Sequence, residues 1–191
     1  EARAHAAARR RVPPVLHVAG LELPAGRAHE PVGRGRELGI LRQALTDTAR
    51  GVGGCLVVRG PAGIGKSRLL RAAVEAAEAA PLSVASRRAF ELDRAVALLS
   101  LGSTLRACRP PTDAFAWLAE DAGHTVGTLE RLGASLEAHS ARNPLLVVID
   151  DAHWVDPTSG QALSFAVRRL LADRVAVVVA RRPTEPDRIP G

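Results

Sequence analysis

The chain has no methionine, no tyrosine, three phenylalanines, two tryptophans and, at Lys66, a single lysine among 191 residues. Its basic side is therefore almost all arginine. The arginines are scattered, and no basic stretch is interleaved with aromatics. The net charge of +6 is accordingly read as a solvated basic surface rather than a nucleic-acid interface. Two cysteines, Cys55 and Cys108, cannot by themselves build a disulfide framework or a zinc site. They are expected as small core residues in a reducing compartment. The longest unbroken apolar runs, at 145–149 and 175–180, fall far short of the ~20 residues a membrane-spanning helix needs. Arg9, Arg10 and Arg11 are followed by apolar sequence broken by Pro13, Pro14 and His17, which makes a poor signal peptide. A cytoplasmic protein with no membrane partner is expected. Without methionine, Glu1 is not a translation start, and a fragment or processed chain is expected. What remains is a composition with 47% hydrophobic residues and the length of one globular domain.

Residues 1–28 are Ala/Arg-rich, then punctuated by Pro and Gly, and read as an arm or linker with at most a short helix at 2–11. Leu38, Leu41, Leu45 and Ala49 recur at helical spacing, predicting an amphipathic helix over 35–50 that Gly51, Gly53 and Gly54 end. Residues 55–59 are a short apolar run between glycines, hence a buried strand. A glycine-rich loop at 60–65 leads into a helix over 66–80 that Pro81 stops. The spacing then predicts a strand at 82–86, helices at 92–107, 114–120 and 126–140, a strand at 145–149, a helix at 159–171 and a strand at 175–180. Strands that are apolar throughout and alternate with helices predict a three-layer α/β fold around a parallel sheet. The expected organisation is an arm at 1–28, a core at 29–185 and a truncated tail at 186–191.

Gly60-Pro61-Ala62-Gly63-Ile64-Gly65-Lys66-Ser67 fits the pattern G-x-x-x-x-G-K-[ST] in full. The glycines let the backbone curl so that its N–H groups converge on a polyphosphate, and the following helix adds its positive N-terminal end. Lys66 would neutralise β- and γ-phosphates, and the Ser67 hydroxyl would ligate Mg²⁺. Arg68, in the first turn of the helix, joins this set or simply faces solvent. The strand at 145–149 runs into Asp150 and Asp151, and a buried strand should not end in two acids unless something positive meets them. Asp150 would hold Mg²⁺ through its water shell, while Asp151 would orient or deprotonate an attacking water. The nucleotide is read as ATP, because a guanine-reading Asn-Lys-x-Asp segment needs a second lysine. Arg181 leaves the strand at 175–180 at the end of the sheet where ligands bind. It either senses the γ-phosphate or is a surface charge, and Arg182 and Arg59 are weaker candidates for the same role.

Pro31-Val32-Gly33-Arg34-Gly35-Arg36-Glu37-Leu38 resembles the entry segment of the nucleotide-binding domain in large ATP-binding regulators of the LuxR type. These belong to the signal-transduction ATPases with numerous domains, relatives of the AAA+ group. The glycine loop, Arg87-Arg88-Ala89-Phe90-Glu91-Leu92-Asp93-Arg94, Asp150-Asp151-Ala152-His153-Trp154-Val155-Asp156 and Val177-Val178-Val179-Ala180-Arg181-Arg182-Pro183 follow in that family's order. The likeness covers residues 31–185. It implies a P-loop NTPase core with Val32 and Gly33 near the adenine, Asp150 as the Walker B acid, Asp151 as the catalytic acid and Arg181 as a sensor arginine. It also implies a further strand and a lid beyond the fourth core strand. Without that strand, residues 55–59 would become an aggregation-prone sheet edge.

The resulting expectation is an ATP-binding, slowly hydrolysing switch domain of a multidomain transcriptional regulator, with Mg²⁺ as cofactor. It would associate with itself or with the parent's C-terminal domains, and DNA would be reached only through those other parts. A module that holds ATP without hydrolysing it, as an assembly platform, is the alternative. A directly DNA-binding domain, suggested by the +6 charge and the Arg9–Arg11 cluster, is the third reading.

Overall fold

The computed structural model of the protein describes residues 15–17, 34–119, 126–169 and 173–183. Five strands form one sheet: β1 (Val15–His17), β2 (Gly54–Arg59), β3 (Ser83–Arg88), β4 (Leu145–Asp150) and β5 (Val175–Arg181). Their order is β1-β2-β5-β4-β3, and every neighbouring pair runs parallel. Helices α1 (Gly35–Ala49) and α2 (Lys66–Glu78) cover one face. Helices α3 (Leu99–Arg106), α4 (Val126–Arg142) and α5 (Pro157–Arg169) cover the other. The expected α/β architecture around a parallel sheet is thus observed, and β5 lies between β2 and β4.

Successive residues of a strand point to opposite faces, and here both faces are dry. Leu56, Val58, Leu146, Val148, Ala176 and Val178 pack with Leu41 of α1 and Leu69 of α2. Their neighbours Val57, Leu145, Val147, Ile149, Val177 and Val179 pack with Leu101, Leu132, Leu163 and Phe115. Each such fully buried aliphatic side chain contributes roughly 1.5–3 kcal/mol. Cys55 and Cys108 are free and buried in the second of these cores, as expected of small core residues, and burial pushes the Cys55 thiol up to about 12. Among the described residues no helix is long and apolar enough to cross a membrane.

Several elements depart from the sequence reading. Val15–His17 pair with Val57–Arg59, so β2 is not an edge strand; a three-residue strand leaves no period to read. The helix expected at 2–11 and the tail at 186–191 lie outside the described residues. Strand β3 runs on to Arg88, because Arg87 and Arg88 register against Ile149 and Asp150. The helix expected at 92–107 is split into a 3₁₀ helix (Glu91–Ala95) and α3. Between them Leu98 takes a left-handed φ of 59°.

The cause of that break lies 58 residues downstream. Asp156, fully buried, accepts the N–H of Leu98 (2.9 Å) and of Ser100 (3.1 Å), and at its own helix the N–H of Ser159 (2.8 Å). One carboxylate therefore satisfies the starts of both α3 and α5, where the first-turn N–H groups have no intrahelical partner. Pro157 fills the first position of α5, where its missing N–H costs nothing. The short helix expected at 114–120 is a 3₁₀ helix, Asp113–Ala119.

Candidate functional site

The loop between β2 and α2 leaves the sheet at the C-terminal ends of its strands, where ligands of open α/β sheets bind. Gly63 and Gly65 have φ of 76° and 92°, the left-handed region that other residues reach only at a cost. Those two glycines turn the chain onto the start of α2. Gly65 is the N-cap of that helix, no side chain caps it, and no acidic residue sits in its first turn. The N–H groups and the positive helix end thus remain free of any side-chain anion.

Lys66 is buried, and its ammonium donates to the carbonyls of Gly60 (2.8 Å) and Pro61 (2.9 Å). Burial pulls its pKa down. Asp151 and Asp150 oppose that shift, while Arg182 and Arg34 reinforce it. Within the loop Gly60 is buried, Ile64 and Gly65 are half-buried, and Pro61, Ala62 and Gly63 are exposed, as are Ser67 and Arg68 at the helix start. Val32 and Gly33 lie outside the described residues.

Asp150 ends β4, two strands over from β2, and its Oδ1 accepts the N–H of Asp151 (2.9 Å). Asp151 has φ 49° and is buried. Its Oδ2 receives Arg88 Nε (2.8 Å) and Arg88 Nη2 (2.6 Å), a forked ion pair that raises the Arg88 pKa. Arg181 ends β5 in register with Arg59 of β2, and its carbonyl accepts the N–H of Gly60 (3.3 Å). Burial lowers the Arg181 pKa, and the neighbouring Arg59 charge adds to that. The fold thus gathers Lys66, Asp150, Asp151 and Arg181 at one end of adjacent strands.

Two residues at this site were assigned no role from the sequence. Arg34, 4% exposed, donates from Nη2 to the carbonyl of Ile64 inside the loop, while its Nη1 is buried without a hydrogen-bond partner. It stood in the quoted entry segment, but nothing in the sequence showed that it folds onto the glycine loop. Arg88 was legible in principle. Two strands adjacent in a parallel sheet that end in Arg-Arg and in Asp-Asp must bring those charges together.

Among the described residues no three His, Cys, Asp or Glu side chains form a metal cage. Magnesium at phosphate sites uses one or two protein oxygens, with water and phosphate completing the shell. Ser67 at the start of α2 and Asp150 at the end of β4 each carry a side-chain oxygen at this end of the sheet.

A family model described as "AAA ATPase domain" matches residues 30–179. An uncharacterised protein of Rhizobium meliloti (strain 1021) is 27% identical over 197 residues, covering 83% of this chain and 19% of that protein. The chain therefore spans about a fifth of the length of this curated relative.

Proposed function

The chain belongs to the AAA ATPase domain family, and from that premise we propose that it binds Mg-ATP, hydrolyses it slowly and works as the nucleotide switch of a LuxR-type transcriptional regulator. The observation that carries the binding is Lys66. A buried ammonium rests on two loop carbonyls at the open N-terminus of α2, with Asp150 and Asp151 acting on it electrostatically. A phosphate group is a better partner for that ammonium than neutral carbonyls, and the unpartnered Nη1 of Arg34 is a further buried donor beside the same loop.

In this reading the loop N–H groups that follow Pro61, up to Ser67, and the Lys66 ammonium hold the β- and γ-phosphates. Ser67 and Asp150 would hold the metal, which supplies charge neutralisation on the phosphates. Asp151 orients the attacking water, and Arg181 answers the charge of the γ-phosphate. The regulator context is supported by the order of the five quoted segments. The relative's extension far beyond the aligned part agrees with a multidomain parent.

The Arg88–Asp151 ion pair favours a second reading, in which ATP is held without turnover as an assembly signal. A carboxylate engaged by a guanidinium is a weaker base toward water.

Calorimetry of Mg-ATP binding to wild type and Lys66→Ala tests the proposal. Replacing loop carbonyls by phosphate oxygens gains about 2 kcal/mol, so the variant should bind roughly 30-fold more weakly. Equal affinity for both proteins would refute it. Turnover lost in Asp151→Asn with binding retained would exclude the second reading, and absence of turnover in the wild type would establish it.

A further inference from the structure

The peptide between Ile64 and Gly65 lies at the entrance to α2, and its orientation decides what the glycine loop offers to a ligand. A trans peptide is planar, so its carbonyl and its N–H point in opposite directions. Here the Ile64 carbonyl accepts Arg34 Nη2. The Gly65 N–H therefore points away from that guanidinium, and no acceptor takes it among the described residues.

Nothing local to the loop fixes that orientation. Turning the peptide over rotates ψ of Ile64 and φ of Gly65 by about 180° each. Ile64 has a negative φ, where both the helical and the extended ψ regions are open. Gly65 would pass from its φ of 92° to about −90°, which glycine adopts as readily. In the turned-over form a carbonyl oxygen takes the place of the N–H, and a phosphate meets a lone pair instead of a donor.

Arg34 supplies the missing constraint. It is the N-cap of α1, and its own carbonyl accepts the Leu38 N–H (3.0 Å), so its backbone is fixed by the helix. Its side chain is buried against the loop, with Nη2 3.8 Å from where a Cβ on Gly65 would stand. Nη1 is buried without a partner, which leaves the Ile64 carbonyl as the acceptor at this end of the guanidinium. Turning the peptide over would orphan a second buried donor of a charged group. Lys66 holds the carbonyls of Gly60 and Pro61 in a comparable way, but it exchanges them for phosphate when a ligand arrives. The Arg34 bond survives that exchange.

We propose that Arg34 is a positioning residue for the glycine loop: by holding the Ile64 carbonyl it keeps the Gly65 N–H turned toward the ligand. Without it the peptide populates both orientations. The inference rests on the phosphate-loop reading of the site. A ligand that binds one of two orientations loses affinity by the fraction in the competent one, whatever its other contacts. Every polyphosphate should therefore feel Arg34 equally.

The probes are inorganic pyrophosphate, Mg-ADP and Mg-ATP, titrated by calorimetry into the whole chain. Arg34→Ala should weaken all three by one common factor of roughly tenfold. Arg34→Lys, which keeps a charged donor for the carbonyl, should recover most of that loss. Millimolar guanidinium chloride should restore Arg34→Ala, and sodium chloride should not. The Gly65 amide resonance of the ligand-free protein should shift in Arg34→Ala and return with guanidinium. Arg34→Gln, with a neutral donor, should lose a smaller factor shared equally by the three probes, and it carries the test if the alanine variant does not fold. Thermal unfolding separates these effects from lost stability, because a variant that is less stable but still folded keeps its affinity. Equal affinities of wild type and Arg34→Ala would overturn the proposal. So would a loss confined to Mg-ATP, since Arg34 would then touch the terminal phosphate directly, or a loss that neither lysine nor guanidinium repairs. A wild type that binds none of the three probes would bring down the phosphate-loop reading itself, an outcome distinct from these.

Discussion

Replacing Asp156 should damage the fold in a graded way that its three hydrogen bonds determine. In Asp156→Ala the N–H groups of Leu98, Ser100 and Ser159 lose their acceptor in a fully buried place. At about 1–3 kcal/mol for each orphaned buried donor, and with relief from the desolvated charge set against it, the net loss is about 3–5 kcal/mol. Asp156→Asn is the sharper probe. Oδ1 serves both Leu98 and Ser159, and an amide oxygen can keep those two bonds. Oδ2 serves Ser100, where the amide would present an N–H to an N–H. One bond is lost and a donor clash added, for about 2 kcal/mol. A domain of this size loses roughly 2–4 °C of Tm per kcal/mol, so the Asn variant should melt about 6 °C lower and the Ala variant about 12 °C lower. Thermal unfolding followed by far-ultraviolet circular dichroism reads this directly. An Asn variant as stable as wild type, or as unstable as the Ala variant, would refute the assignment of the two oxygens to different donors.

Two further perturbations test the loop and the far core. Gly65→Ala meets ordinary space, since an added Cβ would stand 3.8 Å from Arg34 Nη2, but it must hold a φ of 92°. It should cost about 1–2 kcal/mol of stability and weaken Mg-ATP binding in calorimetry, and unchanged values of both would refute the conformational argument. His139 is buried against Phe115 at 5.4 Å between ring centroids, its Nε2 has no hydrogen-bond partner, and burial lowers its pKa. The folded state then binds its proton less readily than the unfolded chain, so stability present above about pH 6.5 falls as the pH drops through and below that value. The slope approaches about 1.4 kcal/mol per pH unit until the folded pKa is passed. Urea titrations between pH 7.5 and 5 should show this dependence in wild type, and His139→Leu should remove that part of it.

The three apolar strands and the glycine loop were legible because their signals are local. A run such as Leu145–Ile149 has one interpretation when glycine or acid bounds it. What escaped depended on distant partners. Leu98 breaks a helix that its own neighbourhood favours, because a carboxylate far along the chain takes its N–H. Strand β1 has three residues and exists through pairing with β2. The site divides the same way. Lys66 follows from the motif, Asp150 and Arg181 from the ends of apolar strands, and the fold brings these strand ends and the loop to one side of the sheet. The engagement of Asp151 by Arg88 required knowing that β3 lies beside β4 and runs two residues further than its apolar stretch. Arg34 required knowing that the residue just before α1 folds against the loop.

The seating of Lys66 has a chemical consequence. It carries the one side-chain primary amine in 191 residues, and that amine is enclosed by the carbonyls of Gly60 and Pro61. Acylating or reductively alkylating reagents therefore find a single internal target, at the centre of the proposed phosphate site. Acylation there would erase the positive charge and add bulk in one step, while monomethylation would keep the charge and remove one donor. The protein thus carries one internal amine through which covalent chemistry reaches its glycine loop.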